Sequence, residues 1–337
     1  MKNLAITLAL AAVIASTGCG TDSTAPLTYV ARTSSDSTPH LFILNEASQK
    51  STEVTIPIPS TAWYVAANSA ATEVAYYRSD DAGYDLFLMG KDGTEKPLTT
   101  DGRSWGAAFS PDGKTIVYVD YATGPNQIFV MNADGSNQHA LYAPVTDQAL
   151  LPAFSPNGKS VVFYLEAGVS TPATQTNRHN ALAGAPLPDM RNRNSKAAAR
   201  RSAQSQIAEP SQSGWYTMAL TDTTPTLVYA TSSWWGPAVY SADGKKLLLT
   251  MYDGNEENIF SVSPLDGSGT ATPLTTSTTT ANFSPVPYRN LILFNQWNSA
   301  TTSFDIYVMD ETGGNQTLVH TTANTYESLL DAFYSLD

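Results

Sequence analysis

Three stretches decide the reading of this chain: F109-S-P-D-G-K-T-I-V-Y118, F154-S-P-N-G-K-S-V-V-F163 and Y240-S-A-D-G-K-K-L-L-L249. Each is an aromatic residue, a serine, a tight turn and an apolar run. Asp-Gly or Asn-Gly supplies the left-handed backbone that a short turn between two strands needs. A second motif keeps the same beat: L41-F-I-L-N45, L86-F-L-M-G90, I128-F-V-M-N132, W215-Y-T-M-A219, I259-F-S-V-S263 and I306-Y-V-M-D310. Its aromatic recurs at Phe42, Phe87, Phe129, Tyr216, Phe260 and Tyr307, at intervals of 45, 42, 87, 44 and 47 residues. Repeats of this length, each holding four short alternating segments, are the mark of a β-propeller.

The third unit is the template. Strand a covers Trp105–Phe109 and S110-P-D-G-K114 turns into strand b, Thr115–Val119. The loop D120-Y-A-T-G-P-N126 leads to strand c, Gln127–Met131, and N132-A-D-G-S-N137 turns into strand d, Gln138–Leu141. The doubled interval has a local cause. Ser110 and Ile128 are 18 residues apart, whereas the matching Ser155 and Trp215 are 60 apart. Blade four therefore carries an insert of about 42 residues between strands b and c, spanning 167–213. Six copies of strand c predict an all-β, six-bladed β-propeller of four-stranded antiparallel blades. Blade one lacks a strand a, because L27-T-Y-V-A31 resembles a strand b. A332-F-Y-S-L-D337 matches A238-V-Y-S-A-D243. Leu330–Tyr334 is therefore expected to complete blade one, closing the ring by pairing with the N-terminal strands and removing the open sheet edge.

The combination F-S-P-D-G-K…I-V-Y…I-F-V-M-N-A-D-G-S resembles the WD40-like propeller repeats of the TolB family. The resemblance covers nearly all of 27–337 apart from the insert. It is weaker in blade two, where N68-S-A-A-T-E-V-A75 lacks the Pro-Asp-Gly turn, and in blade six at S284-P-V-P-Y-R289. In TolB itself an α/β domain precedes the propeller, and it finds no room before residue 27 here. The Tol partners are accordingly not implied.

The first residues read differently. M1-K-N-L-A-I-T-L-A-L-A-A-V-I-A-S-T-G-C19-G20 has one Lys, an apolar run and small residues before the chain's sole cysteine. This is the pattern of an export signal, too short for a spanning helix. It resembles the lipobox of bacterial lipoproteins, with Ser16 where Leu is usual. The implied organisation is a signal peptide over 1–18, a lipidated tether over 19–26 with Cys19 carrying the lipid, and the propeller over 27–337. Gly20 in place of Asp after the cysteine implies outer-membrane attachment, facing the periplasm or exterior, with no contact with the membrane other than the anchor. The chain carries 18 Lys and Arg against 30 Asp and Glu, a formal net charge of −12. That excludes general nucleic-acid binding, which requires a positive footprint. With no second cysteine there is no disulfide, and packing alone must hold the core.

Antiparallel connectivity puts the a–b and c–d turns on one face and the b–c and d–a loops on the other. The first face is uniform turns and reads as structural. The second carries Trp63, Trp105, Trp234 and Trp235 near d–a junctions, Tyr121 and Trp297 in b–c loops, and acids including Asp80 and Asp253. Trp63 and Trp105 fit packing between blades as well as they fit a binding surface; Trp297, in a polar N-S-A-T-T setting, is expected to be exposed. The insert shares this face. Arg178, Arg191, Arg193, Lys196, Arg200 and Arg201 outweigh Asp189 and Glu209 within it, which makes it a basic arm for an acidic partner or a cover for its own acidic propeller.

Signals for chemistry are sparse. There is no nucleophile elbow, zinc-protease helix, phosphate loop or dinucleotide fingerprint. The four histidines, His40, His139, His179 and His320, occupy unrelated repeat positions. D253-G-N-E-E257 and D80-D81 offer oxygen atoms of the kind calcium takes, without the spacing of a calcium loop. No cofactor is expected. The reading is a monomeric, non-enzymatic envelope lipoprotein that binds a protein or glycan. The alternative is a glycan-active lyase or hydrolase using funnel carboxylates, which need no sequence motif.

Overall fold

The computed structural model describes residues 8–10, 27–33, 36–45, 50–80, 83–121, 125–144, 146–168, 212–232, 236–298 and 303–321. Their strands form four-stranded antiparallel sheets, the blades of a propeller. Blade two is β5 (Trp63–Ala67), β6 (Glu73–Asp80), β7 (Gly83–Gly90) and β8 (Glu95–Pro97). Blade three is β9 (Ser104–Phe109), β10 (Thr115–Asp120), β11 (Gln127–Asn132) and β12 (His139–Tyr142). Blade four is β13 (Gln148–Phe154), β14 (Ser160–Glu166), β15 (Gly214–Ala219) and β16 (Thr226–Ala230). Blade five is β17 (Val239–Tyr240), β18 (Leu247–Tyr252), β19 (Glu257–Ser263) and β20 (Thr270–Pro273). Blade six is β21 (Asn282–Tyr288), β22 (Leu291–Asn298), β23 (Ser303–Asp310) and β24 (Thr317–Thr321). These five blades are each built from four consecutive strands.

Blade one differs from expectation. Its sheet runs β1 (Leu8–Leu10), β2 (Leu27–Thr33), β3 (Asp36–Asn45) and β4 (Lys50–Val54). The first place, expected for Leu330–Tyr334, is taken by three residues of the apolar leader, with Leu8 opposite Thr33 and Leu10 opposite Ala31. The physical reason is that an open sheet edge offers a row of unpaired amides and carbonyls to any short apolar strand. Leu330–Tyr334 itself lies outside the described residues.

The middle strands explain why the blades assemble. Ile116, Val117, Tyr118 and Val119 of β10 are successive residues, so they point alternately to opposite faces of the sheet. All four are at most 1% exposed. Both faces are therefore covered by neighbouring blades, and no blade can bury its own apolar surface. The first strands β5, β9, β13, β17 and β21 touch in succession around the ring, while β8 and β12 on the outside are largely exposed. Register adds a recurrent aromatic pair. The strand-c aromatic lies directly opposite one from strand b: Tyr76 with Phe87, Tyr118 with Phe129, Phe163 with Tyr216 and Phe294 with Tyr307. Their ring centroids are 5.7–6.3 Å apart, a spacing worth about 0.5–1.5 kcal/mol per pair beyond burial.

The opening motif is now explained atom by atom. Ser110 Oγ donates to Asp112 Oδ1, which also accepts the Lys114 N–H, and Ser110 Oγ accepts the Thr115 N–H. Ser155 with Asn157, and Ser241 with Asp243, repeat this arrangement. Blade two, which lacks the motif, makes the same turn by other means. Asn68 Oδ1 accepts the N–H groups of Thr72 and Glu73, and Ala71 takes the left-handed backbone at φ 54°. The c–d turns are also self-contained. Asp134 caps Ser136, Asp266 caps Ser268, and Asp310 takes N–H groups of Thr312 and Gly314.

The first strands share an irregularity that the repeat pattern did not reveal. A bulge with a left-handed residue sits at Tyr64, Gly106, Leu151 and Ser284, one matched place in four blades. In blade five that place is Pro237. Its ring fixes φ near −65°, and β17 shrinks to two residues. Within the insert of blade four, only the base is described. Leu165 pairs with Gly214, the Ala167 N–H reaches Ser213 Oγ at 2.9 Å, and Gly168 N–H reaches Asp147 Oδ1 at 3.1 Å. The two ends of the insert thus meet as an ordinary hairpin would.

Two tests follow from this packing and these turns. Phe163 is fully buried between Tyr142 and Tyr216, so Phe163→Ala should cost about 3–5 kcal/mol in chemical denaturation, far more than Leu318→Ala at an exposed site. For Asp310, hydrogen bonds from the Thr312 hydroxyl and then from the Thr312 and Gly314 amides lower the pKa to about 2, from 3.8. A depressed carboxylate stabilises the fold above its unfolded value and loses that contribution as pH falls through the folded one. The gap in Tm between wild type and Asp310→Ala should be full above about pH 5 and close as pH drops toward about 2. A gap that stays constant across that window contradicts the capping role.

Candidate functional site

The b–c/d–a face is best defined where blades two and three meet. The connection T99-T100-D101-G102-R103 crosses there from β8 to β9. One carboxylate fixes it. Asp85, in β7, accepts the Thr99 hydroxyl at 2.9 Å and the Gly102 N–H at 3.1 Å, while Thr99 Oγ1 accepts the Leu86 N–H. Blade five repeats the lock with Asn258, Thr275 and Ser277. The sequence signal was available in the recurring Pro-Leu-Thr-Thr at Pro97–Thr100 and Pro273–Thr276; its meaning was not, since the partner lies on another strand.

Held in this way, Gly102 becomes a meeting point. Its carbonyl accepts the Tyr84 N–H at 3.0 Å and the Tyr121 hydroxyl at 2.9 Å. Tyr84 meets Tyr77 edge to face, with centroids 5.5 Å apart. Gly83 passes so near that a Cβ there would sit 2.0 Å from the Gly102 carbonyl oxygen, and its φ is 130°. Beside this aromatic group, Arg103 Nη2 and Asp101 Oδ2 form an ion pair at 2.9 Å, each side chain 39% exposed. Asp120, buried, accepts the Ser104 hydroxyl at 3.1 Å.

The electrostatics favour neutral phenols. Burial, followed by the neighbouring Tyr77 and Tyr121, pushes the Tyr84 phenol well up. Burial and then the Asp120 and Asp101 carboxylates raise Tyr121. These groups stay protonated at neutral pH and serve as hydrogen-bonding groups rather than as bases. The junction combines phenols with a half-exposed ion pair, a set suited to holding a polar ligand.

The predicted site residues fall into distinct places. Trp105 is buried in the core, and Trp63 is half-buried against the same cluster, so packing is the primary role of both. Tyr121 is half-buried and joins the junction. Trp297 corrects the expectation of exposure. It lies within β22, its N–H bonded to the Ala281 carbonyl at 2.8 Å, and is only 6% exposed. The strand runs on to Asn298, so the polar neighbours that suggested a loop begin one residue later. Asp253 is exposed on the blade-five loop. Partial burial is outweighed by hydrogen bonds from the Asn255 and Glu256 N–H groups and Asn258 Nδ2, and its carboxyl is held below the usual range. It caps a turn. Asp80 ends β6 opposite Gly83. Cys19, Arg193, Arg200, Trp234 and Trp235 lie outside the described residues. Among the described residues no group of three or more His, Cys, Asp or Glu could hold a metal ion, and no helix is long and apolar enough to cross a membrane.

Solved structures identify the architecture. A TolB protein of Agrobacterium tumefaciens superposes with a TM-score of 0.58 at 14% identity, over 86% of this chain and 91% of that one. Its fold is that of the TolB-type propellers. TolB from Acinetobacter baumannii matches at a TM-score of 0.56 and 16% identity, over 88% of this chain and 63% of its own length. An oligogalacturonate lyase in complex with manganese matches at 0.54 and 11%, over 87% of this chain and 72% of that one. No family model matches the chain, and neither does any curated protein. At these identities the likeness is one of fold alone.

The close approach at Gly83 provides a test of the junction. Gly83→Ala should force Gly102 away and destabilise the protein by at least about 1 kcal/mol. Tyrosine fluorescence and Tm would report it. An unchanged Tm contradicts the tight packing of this loop on its neighbour.

Proposed function

We propose that this chain is a non-enzymatic binding propeller of the bacterial cell envelope, with its working surface on the b–c/d–a face at the junction of blades two and three. One contrast carries the reading. On the opposite face the Asp-Gly turns spend their polar groups on their own backbones, whereas at the junction Arg103 and Asp101 stand half-exposed beside Tyr121. Half-exposed aromatic and arginine side chains are the usual anchors of protein and glycan recognition. The partner class is an envelope protein or a glycan, bound without a cofactor. A glycan-active lyase or hydrolase is the second reading, supported by the fold shared with oligogalacturonate lyase. Protonated phenols and a carboxylate already engaged by Arg103 favour binding over catalysis.

The same proposal includes the anchor and the ring. Lipid on Cys19 would tether the propeller to the outer membrane through residues 19–26. Pairing of Leu330–Tyr334 with β2 would complete a closed ring of six blades and cover a sheet edge; deleting 330–337 should then lower the Tm of the whole protein, and an unchanged Tm rejects the closure.

Tyr121→Ala and Arg103→Ala, with Lys114→Ala on the opposite face as control, would be compared in crosslinking from envelope extract and in titration of the recovered partner. The first two should each weaken binding by about 2 kcal/mol, roughly 30-fold in Kd, with the control unchanged. Equal affinity of all four proteins rejects this surface. Cys19→Ser should release the protein from the membrane; retention after a high-salt wash rejects the anchor.

A further inference from the structure

We propose that the junction of blades five and six binds a neutral glycan, with the ring of Tyr252 as the platform on which one sugar lies and the hydroxyls of Thr276, Thr278 and Thr279 as the edge that takes the sugar's own hydroxyls. The inference rests on the binding reading of the b–c/d–a face and adds to it a second place, with a ligand class of its own.

The first observation is a repeat position whose exposure changes from blade to blade. Three residues after the strand-b residue that stands opposite the strand-c aromatic, blades three, five and six carry Tyr121, Tyr252 and Trp297. Burial follows the reach of the first strand. In blade six β21 extends to Asn282 opposite Gln296, the Trp297 N–H bonds to Ala281, and the indole is covered. In blade three β9 extends to Ser104 opposite Asp120, and Tyr121 is half-buried. In blade five β17 pairs only at Val239 and Tyr240, and Tyr252 is 47% exposed.

The exposed ring is held still. The Tyr252 hydroxyl donates to the Gly254 carbonyl at 2.8 Å, so the ring lies along its own loop. Asp253 Oδ1 accepts the Asn255 and Glu256 N–H groups, and the Asp253 N–H bonds to the Glu256 carbonyl. A Cβ on Gly254 would meet nothing within 4 Å, so the apex of the loop stands clear. An aromatic residue fixed in this way loses little conformational freedom on binding.

The second observation joins this loop to a row of hydroxyls. Asn258 Nδ2 donates to Asp253 Oδ2 and to the Ser277 carbonyl, both at 2.9 Å. Asn258 Oδ1 accepts Asn282 Nδ2, and Asn282 Oδ1 accepts Gln296 Nε2. Asn258 and Asn282 are buried, and this chain of amides sets the Tyr252 loop against the link T275-T-S-T-T-T280 and both against blade six. Thr276, Thr278 and Thr279 of the link are exposed, as is Asn255.

The chemistry selects the ligand. A flat apolar ring takes the C–H face of a sugar, and neutral hydroxyl and amide groups beside it match a sugar's hydroxyls. Residues 247–288 contain no Lys or Arg but include Asp253, Glu256, Glu257 and Asp266, in a chain of net charge −12. An anionic glycan is repelled there. The same stretch has no Trp or Arg, the usual anchors of a protein interface.

The experiment is affinity electrophoresis of the full chain carrying Cys19→Ser, which keeps lipid out of the gel. Native gels contain hydroxyethylcellulose, laminarin or dextran, which are neutral, or the anionic polygalacturonate. Retardation is expected in at least one neutral gel and not in polygalacturonate. In that neutral gel Tyr252→Ala should weaken binding about 10-fold. Tyr252→Phe, which keeps the ring, should weaken it by no more than about 3-fold. Tyr121→Ala and Leu318→Ala should migrate as the parent does. No retardation in any neutral gel, equal retardation of the parent and Tyr252→Ala, or stronger retardation by polygalacturonate each overturns the inference. Crosslinking to an envelope protein that Tyr252→Ala abolishes, without retardation in a neutral gel, makes this a protein-docking surface and overturns it as well. Retardation lost with Tyr121→Ala and kept with Tyr252→Ala moves the glycan to the junction of blades two and three, which overturns this inference and leaves the binding reading standing.

Discussion

Everything in this fold depends on the double-sided burial of the middle strands. In β10, four successive residues are sealed from solvent although they point to opposite faces. A four-stranded sheet with two apolar faces is insoluble alone and stable only between two others. The aromatic pair between strands b and c fixes how each sheet presents those faces. It recurs in blades two, three, four and six, while blade five uses Leu249 opposite Phe260. The blades are thus held to one another by packing, without a disulfide.

The turns obey a looser rule than the core. Ser-Pro-Asp-Gly-Lys, Ser-Pro-Asn-Gly-Lys and Ser-Ala-Asp-Gly-Lys make the same three hydrogen bonds. Asn68 and Ala71 reach an equivalent turn with neither Pro nor Gly. What the hairpin needs is a side-chain acceptor for its free amides and one left-handed residue, and more than one sequence supplies both. Repeat matching is therefore weakest in blade two although the backbone there is regular.

The two ends of the propeller differ in how their polar groups are used. Turn aspartates on the a–b/c–d face accept amides two residues onward, and this local satisfaction leaves little to offer a partner. On the other face Asp253 also caps its own turn, but two carboxylates work across strands. Asp85 fixes the approach to blade three, and Asp147 holds the entry to the insert. The cross-strand locks position Tyr84 and Tyr121 and leave Arg103 and Asp101 turned toward solvent. The same sheet scaffold can thereby carry variable recognition chemistry on one side without cost to the other.

The sequence by itself determined the repeat, the strand order within a blade, the two classes of loop and the location of the insert. These are written in spacing and in turn chemistry, both local properties of the chain. Tertiary structure alone decided which aromatic residues are exposed. Trp297 and Trp105 sit beside polar residues in the sequence but are covered by strands remote from them, and burial is set by those neighbours. The Gly102 junction was equally hidden, because Asp85, Thr99 and Tyr121 converge only through pairing and blade contact.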